Sequence, residues 1–180
     1  MTTEQVVLVD DQDREIGVAG KMEVHVTGAL HRAVSVFIFS SHNKLLLQQR
    51  AAVKYHSGLL WTNTCCGHPL PGESPIEAAE RRLYEEMGIR CLLIPAYTFL
   101  YKADMGNGLT EHEFDHVFVG LYDAAPDPDP AEVAAWRYVP QSDLMASLQQ
   151  EPEQYTAWFR ICMADRGSEL FGTMQHGIRP

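Results

Sequence analysis

The sequence has no apolar run near the ~18 residues that a membrane-spanning helix requires. Its opening, MTTEQVVLVDDQDREIG, lacks the basic segment and apolar stretch of a secretory leader. Cysteine is sparse, and Cys65, Cys66, Cys91 and Cys162 show neither CxxC spacing nor a disulfide framework. Together these absences point to a reducing, cytoplasmic setting away from the membrane. Positive charge is also short, with 14 Lys and Arg against 24 Asp and Glu and a net charge of −10. Binding nucleic acid without regard to sequence needs a basic surface, so that class is disfavoured. Any phosphate site must be local, or must take its positive charge from metal ions. The charge leaves the oligomeric state open, and no repeat or low-complexity tract is visible.

What is present suits a globular protein. Apolar residues make up 46% of the chain, too many for a disordered one. A length of 180 residues fits one domain over 1–180. Such a domain buries roughly 70% of its unfolded surface and needs no disulfides.

The β-branched run at 6–9 predicts a strand, with DDQDREIG as a hairpin turn. HRAVSVFIF at 31–39 predicts a buried strand, and SSHNK followed by LLLQQR predicts that it continues into a second hairpin. Residues 51–60 read as a loop and WTNTCC as a short strand. A helix is expected from Ser74 to Gly88. Ser74 caps it, Pro75 takes the first position, Glu77 completes a capping box, and Gly88 takes the left-handed terminus. Strands are expected at 91–101 and 114–122 around the turn MGNG, then the acidic loop APDPDPAE, a last strand in AAWRYV, and helices at 141–150 and 153–165. The tail after Gly167 is expected to be poorly ordered. This order predicts an α/β or α+β fold, a mixed sheet between helices.

Three groups of residues carry possible chemistry. In the predicted helix, at 100° per residue, Glu86 lies about 60° from the axis of the buried Leu83 and Glu85 about 160° away. Glu86 can therefore reach an internal site, whereas Glu85 points outward near Arg81. Glu111 and Glu113 are two apart on a predicted strand and face the same way, while His112 faces away. With His25 and His31, which flank the loop VTGAL, and His68, they form a plausible ligand set for Mn²⁺, Zn²⁺ or Mg²⁺. Spacing alone does not distinguish these histidines from His42, His56, His116 and His176. Cys66 lies two residues before His68, in surroundings expected to favour the thiolate, and Cys65 points the other way.

The segment from Gly67 to Glu73, seven further residues, and then Arg81-Arg-Leu-Tyr-Glu-Glu-Met-Gly-Ile89 resemble the Nudix box. That box holds carboxylates against a diphosphate-bound divalent cation, for which Mg²⁺ is a suitable hard ion. Arg82 stands where the box has its first helical glutamate, which disfavours diphosphate hydrolysis. WTNTCCGHPLPGES, the downstream EHE and the upstream histidines resemble the type I isopentenyl-diphosphate Δ-isomerases, a Nudix-fold branch, over roughly residues 4 to 165.

The resemblance implies a Nudix fold and interconversion of isopentenyl and dimethylallyl diphosphate in isoprenoid biosynthesis. It implies His25, His31, His68, Glu111 and Glu113 as ligands of one metal, with Cys66 and Glu113 as the acid–base pair. Glu86 and the Cys66 carbonyl are implied for a Mg²⁺ that also holds the substrate diphosphate. Lys21, Arg50 and Lys54 are implied as diphosphate-binding cations, and Tyr101 and Trp158 as aromatic residues of the pocket. The partner is then a small diphosphate substrate. Two rivals are a Nudix diphosphohydrolase acting on a nucleotide and a non-enzymatic regulator on the same fold. Arg82 argues against the first, and the retained thiol, histidines and E-x-E pair argue against the second.

Overall fold

The computed structural model describes residues 4–54 and 56–177. Among these, the order is β1 (Gln5–Val9), β2 (Glu15–Gly20), α1 (Lys21–Thr27), β3 (His31–Phe39), β4 (Lys44–Arg50), β5 (Trp61–Thr62) and β6 (Cys65–Gly67). Then come α2 (Pro75–Met87), β7 (Leu93–Gly106), β8 (Leu109–Leu121), β9 (Val133–Pro140), α3 (Gln141–Gln150), a 3₁₀ turn at Pro152–Gln154, and α4 (Ala157–Gly177).

β3 is the hub of one mixed sheet. β8 runs parallel to it along its whole length, from His31↔Glu113 to Phe39↔Leu121. Since β8 occupies that edge, the antiparallel neighbours must share the other. They are β1 at His31, β6 at Val34–Val36 and β4 at Phe39. β7 pairs outside β8, β2 outside β1, and β9 and β5 with β4.

Alternation along the strands divides the core in two. Val34, Val36, Ile38 and Leu46 pack with Ala79, Leu83 and Met87 of α2. Phe37, Phe39, Leu45, Leu47, Val117 and Val119 pack with Trp158, Phe159, Met163 and Phe171 of α4. The sheet thus lies between helices, as expected for this class.

α2 has the predicted ends. The Ser74–Glu77 capping box is formed, an arrangement worth about 1 kcal/mol. Gly88 sits at φ +66°. The acidic loop closes this end: Asp127 N–H donates to Met87 O and Asp129 N–H to Glu86 O, both at 3.0 Å. A Cβ on Gly88 would lie 2.5 Å from Asp127 O, so glycine is required twice over.

Several expectations need correction. The 31–50 hairpin is joined only at Phe39↔Leu45 before its strands part to different partners. Both strands are almost wholly buried, so each needs its own neighbours on both sides. WTNTCC is two strands, because the chain leaves β4 at Thr62 and joins β3 at Cys65. VTGAL, read as a loop, is partly helical: its Val26 and Thr27 end α1 (Lys21–Thr27), and Gly28 terminates the helix at φ +68°. β7 and β8 run longer than 91–101 and 114–122. The last helix begins at Ala157 rather than 153 and runs to Gly177, since Leu170 and Phe171 are buried in the core. The poorly ordered tail is therefore not found after Gly167; its final residues, 178–180, lie outside the described residues.

Candidate functional site

β8 is apolar at one end and acidic at the other on a single face. Val117 and Val119 belong to the α4-side core, and two-residue steps lead to buried Asp115, Glu113 and Glu111. His31 stands opposite Glu113 on β3. Fully buried His25 arrives from α1, and His68 directly follows β6. The ligand atoms of His25, His31, His68 and Glu111 all lie within 4.8 Å of one another. His112 turns away to Gly28 O at 2.9 Å.

This donor set suits a divalent ion. His25 Nδ1 donates to Lys21 O at 2.5 Å and His31 Nδ1 to Ala29 O at 2.9 Å. A carbonyl only accepts, so both rings carry a proton on Nδ1 and turn Nε2 inward as the one nitrogen an ion could take. His31 Nε2 and Glu111 Oε2 are buried with no hydrogen-bond partner among the described residues. Uncompensated donor atoms converging at such depth are costly unless a cation satisfies them. Burial pushes the Glu111 carboxyl up, but the His25 and His56 imidazoles close to it outweigh burial and hold it well below its usual range. Burial lowers His25, yet Glu111 raises it above its ordinary value.

Glu113 lies beside this group. Tyr101, directly opposite on β7, donates to its Oε2 at 2.5 Å. His68 Nε2 lies 2.9 Å and His31 Nε2 3.6 Å from its Oε1. Burial and Glu111 push the Glu113 carboxyl up, but His31 and His68 prevail and lower it. Burial and Glu113 drive the Tyr101 phenol well above its ordinary value, so it remains a donor. Asp115, one step deeper, accepts from Ser35 at 2.7 Å, and burial and then Glu113 push its carboxyl well above the usual range.

Cys66 faces the same cleft from the other edge of β3, paired with Ser35, while Cys65 is buried on the α2 side. The thiolate expectation is not met by the protein's own groups. Burial, then the charge of Glu86, pushes the Cys66 thiol up, and Arg50 does not compensate. Burial and the nearby carboxylates outweigh that one guanidinium, so the protein's own groups favour the neutral thiol.

α2 delivers Glu86 to the cleft, where it accepts from Gln48 at 2.6 Å and pairs with Arg82. Glu85 is exposed and pairs with Arg81 at 3.2 Å and Arg82 at 2.6 Å. The guanidinium at the departure from the Nudix box thus sits among Glu85, Glu86 and Glu132. Lys21, Arg50 and Lys54 also line the cleft. Lys21 pairs with Glu4 at 3.1 Å and Lys54 with Glu132.

Trp158, in the first turn of α4, covers the cleft. Thr156 fixes it, donating its N–H to Trp61 O at 3.0 Å and its hydroxyl to Thr62 at 2.9 Å. Arg50 lies over the indole, 5.1 Å from its centre. The cavity among these residues is about 70 Å³, small beside typical ligand sites. Sequence reasoning missed Arg82 and His56 as cleft residues, and Asp115 beneath it. Asp115 had a signal, since it extends the two-residue step of Glu111 and Glu113.

The NUDIX domain family model matches residues 29–159. Solved structures share the fold. A Deinococcus radiodurans protein aligns with TM-score 0.70 at 20% identity, covering 82% of this chain and 90% of its own. The MutT protein of Methanosarcina mazei Go1 aligns with TM-score 0.62 at 21%, covering 82% and 96%. Within that class the likeness narrows. The chain is 51% identical over 160 residues to isopentenyl-diphosphate Delta-isomerase 2 of Aromatoleum aromaticum, covering 89% of this chain and 85% of the relative. It is 51% identical over 164 residues to isopentenyl-diphosphate Delta-isomerase of Pectobacterium atrosepticum, covering 91% and 92%. The chain belongs to the isopentenyl-diphosphate Delta-isomerase family of NUDIX-domain proteins.

Proposed function

We propose that residues 1–180 form one isomerase domain that interconverts isopentenyl and dimethylallyl diphosphate, with Cys66 and Glu113 as its acid–base pair. The observation that carries the assignment of the pair is their placement. One residue lies at each edge of β3, and both open onto a single cleft under Trp158.

An alkene is a very weak base, so protonating its terminal carbon needs an acid in contact with it. The tertiary cation that results loses a proton from the carbon next to the CH₂–O group, and the double bond is then internal. A group on each side of the allyl unit meets both needs, and reversibility lets either act first. Tyr101 holds Glu113 Oε2 in place and is itself a donor to the pair. The Trp158 ring excludes water and offers a π face to the cation, an interaction worth ~2 kcal/mol when desolvated. Lys21, Arg50 and Lys54 grip the diphosphate, which does not react, so remote binding energy positions the alkene.

His25, His31, His68, Glu111 and Glu113 would hold one ion, either Mn²⁺, Zn²⁺ or Mg²⁺. Glu86 and the Cys66 carbonyl would hold Mg²⁺ with the substrate. The ions supply positive charge that offsets the buried carboxylates and the diphosphate. Four free cysteines fit a cytoplasmic setting. No helix among the described residues is long and apolar enough to cross a membrane. Arg82, paired to Glu86, disfavours hydrolysis by occupying a carboxylate position of the box.

A proton NMR time course with isopentenyl diphosphate, Mg²⁺ and Mn²⁺ in D₂O tests the reading. The expected result is deuterated dimethylallyl diphosphate without phosphate release, and its loss in Cys66→Ala with the fold retained. Release of phosphate without isomerisation would overturn the assignment in favour of a hydrolase.

A further inference from the structure

His56 lies in the loop between Arg50 and Trp61, outside the residues assigned above. Its side chain is buried. The Glu111 carboxylate has two differently occupied oxygens. Oε2 faces His25 Nε2 at 3.1 Å and His31 Nε2 at 4.0 Å. Oε1 faces His56 Nε2 at 3.2 Å. A carboxylate only accepts, so His56 carries its proton on Nε2. Its Nδ1 is then an acceptor, and the Ser57 hydroxyl stands 3.2 Å from it. His25 and His31 differ in having Nδ1 tied to a backbone carbonyl and Nε2 in the group of ligand atoms that converge within 4.8 Å, a group to which His56 does not belong. His56 therefore presents a proton to the cluster rather than a lone pair.

The same residue touches the rest of the cleft. Its ring meets the Trp158 indole edge-on, with centres 5.7 Å apart. Its carbonyl accepts from Arg50 at 3.4 Å. We propose that His56 is a positioning residue that holds Glu111 Oε1, so that Oε2 stays aimed at the metal position, and ties that carboxylate to Arg50 and Trp158. A donor of this kind behind a ligating carboxylate tunes metal affinity without binding the metal. This inference rests on the proposed metal site at His25, His31, His68, Glu111 and Glu113.

The test is Mn²⁺ binding by the metal-free full-length protein, read from the free-ion EPR signal, with the melting temperature of each metal-free variant recorded alongside. The variants are His56→Ala, His56→Gln and, as a ligand control, His31→Ala. Loss of a supporting donor predicts binding about 10- to 100-fold weaker in His56→Ala, in a variant whose melting temperature shows it folded at the assay temperature. His56→Gln, which keeps an N–H, should recover most of the affinity. His31→Ala should bind far more weakly than either. Wild-type affinity in His56→Ala would overturn the proposal, and so would a His56→Gln variant as weak as His56→Ala. Wild-type affinity in His31→Ala, or no binding by the native protein, would refute the metal site itself and the proposal with it.

Discussion

Tyr101 and Glu113 face each other across adjacent antiparallel strands, and the phenol donates to the carboxylate at 2.5 Å. Both are almost completely buried, so this contact is not exchanged with water. Glu113 Oε2 depends on one hydroxyl for its orientation. Tyr101→Phe removes that hydroxyl while keeping the ring and its stacking on Phe99, 5.4 Å away. The variant should fold, with a stability loss of about 1–3 kcal/mol from the unpaired oxygen. Its kcat should fall roughly 100-fold, with little change in KM. Steady-state kinetics check this, and a kcat within about twofold of wild type would show that Glu113 needs no such support.

Which parts of this arrangement could be read from the sequence depended on how local their causes were. The α2 caps, the shared face of Glu111 and Glu113, and the outward Glu85 follow from spacing along one element. The opening of the β3–β4 hairpin does not, because it depends on β8 and β9, which lie far along the chain. His56 was one histidine among several, since only tertiary folding brings its loop against Glu111 and Trp158. The upward push on the Cys66 thiol was not legible, because it comes first from burial and then from Glu86 on another element. The acidic loop had no visible role until Asp127 and Asp129 were seen to close α2.

Trp158 is the next residue to vary. Its indole is buried, with Arg50 over the ring and His56 at its edge. If the π face stabilises the reacting cation, Trp158→Phe should retain more activity than Trp158→Ala. The latter should lose at least about tenfold in kcat, consistent with an interaction of ~2 kcal/mol. Comparing kcat for the two variants decides the point. Equal losses would instead assign Trp158 to packing or to its indole N–H.

Glu73 provides a pH test away from the buried site. Arg81 hydrogen-bonds it at 2.7 and 2.8 Å, and these bonds hold its carboxyl below the usual range, against a smaller opposing effect of burial. A lowered folded-state value means that the unfolded chain takes up the proton first as pH falls. The contribution is therefore present above the unfolded value and is lost as pH falls through the folded one. Glu73→Gln should cost about 1 kcal/mol at pH 7, since the pair is partly exposed. The gap to wild type should close below roughly pH 4. Urea denaturation at several pH values measures it, and a gap that does not change with pH would exclude Glu73 ionisation as its source.

Gly72 and Gly88 separate backbone strain from collision. Both have positive φ, +83° and +66°. A Cβ on Gly72 meets nothing within 4 Å, whereas one on Gly88 would lie 2.5 Å from Asp127 O. Gly72→Ala should therefore cost only the left-handed strain, about 1–2 kcal/mol. Gly88→Ala adds a backbone clash that must displace the loop holding Met87 O and Glu86 O, so its loss should be at least about twice as large. It should also raise KM for the diphosphate, because the same loop carries Glu132, the partner of Lys54 and Arg82. Thermal melts and steady-state kinetics of both variants check this. Equal destabilisation would mean that the loop yields freely, and the acidic loop would then not be the brace that fixes Glu86 at the cleft.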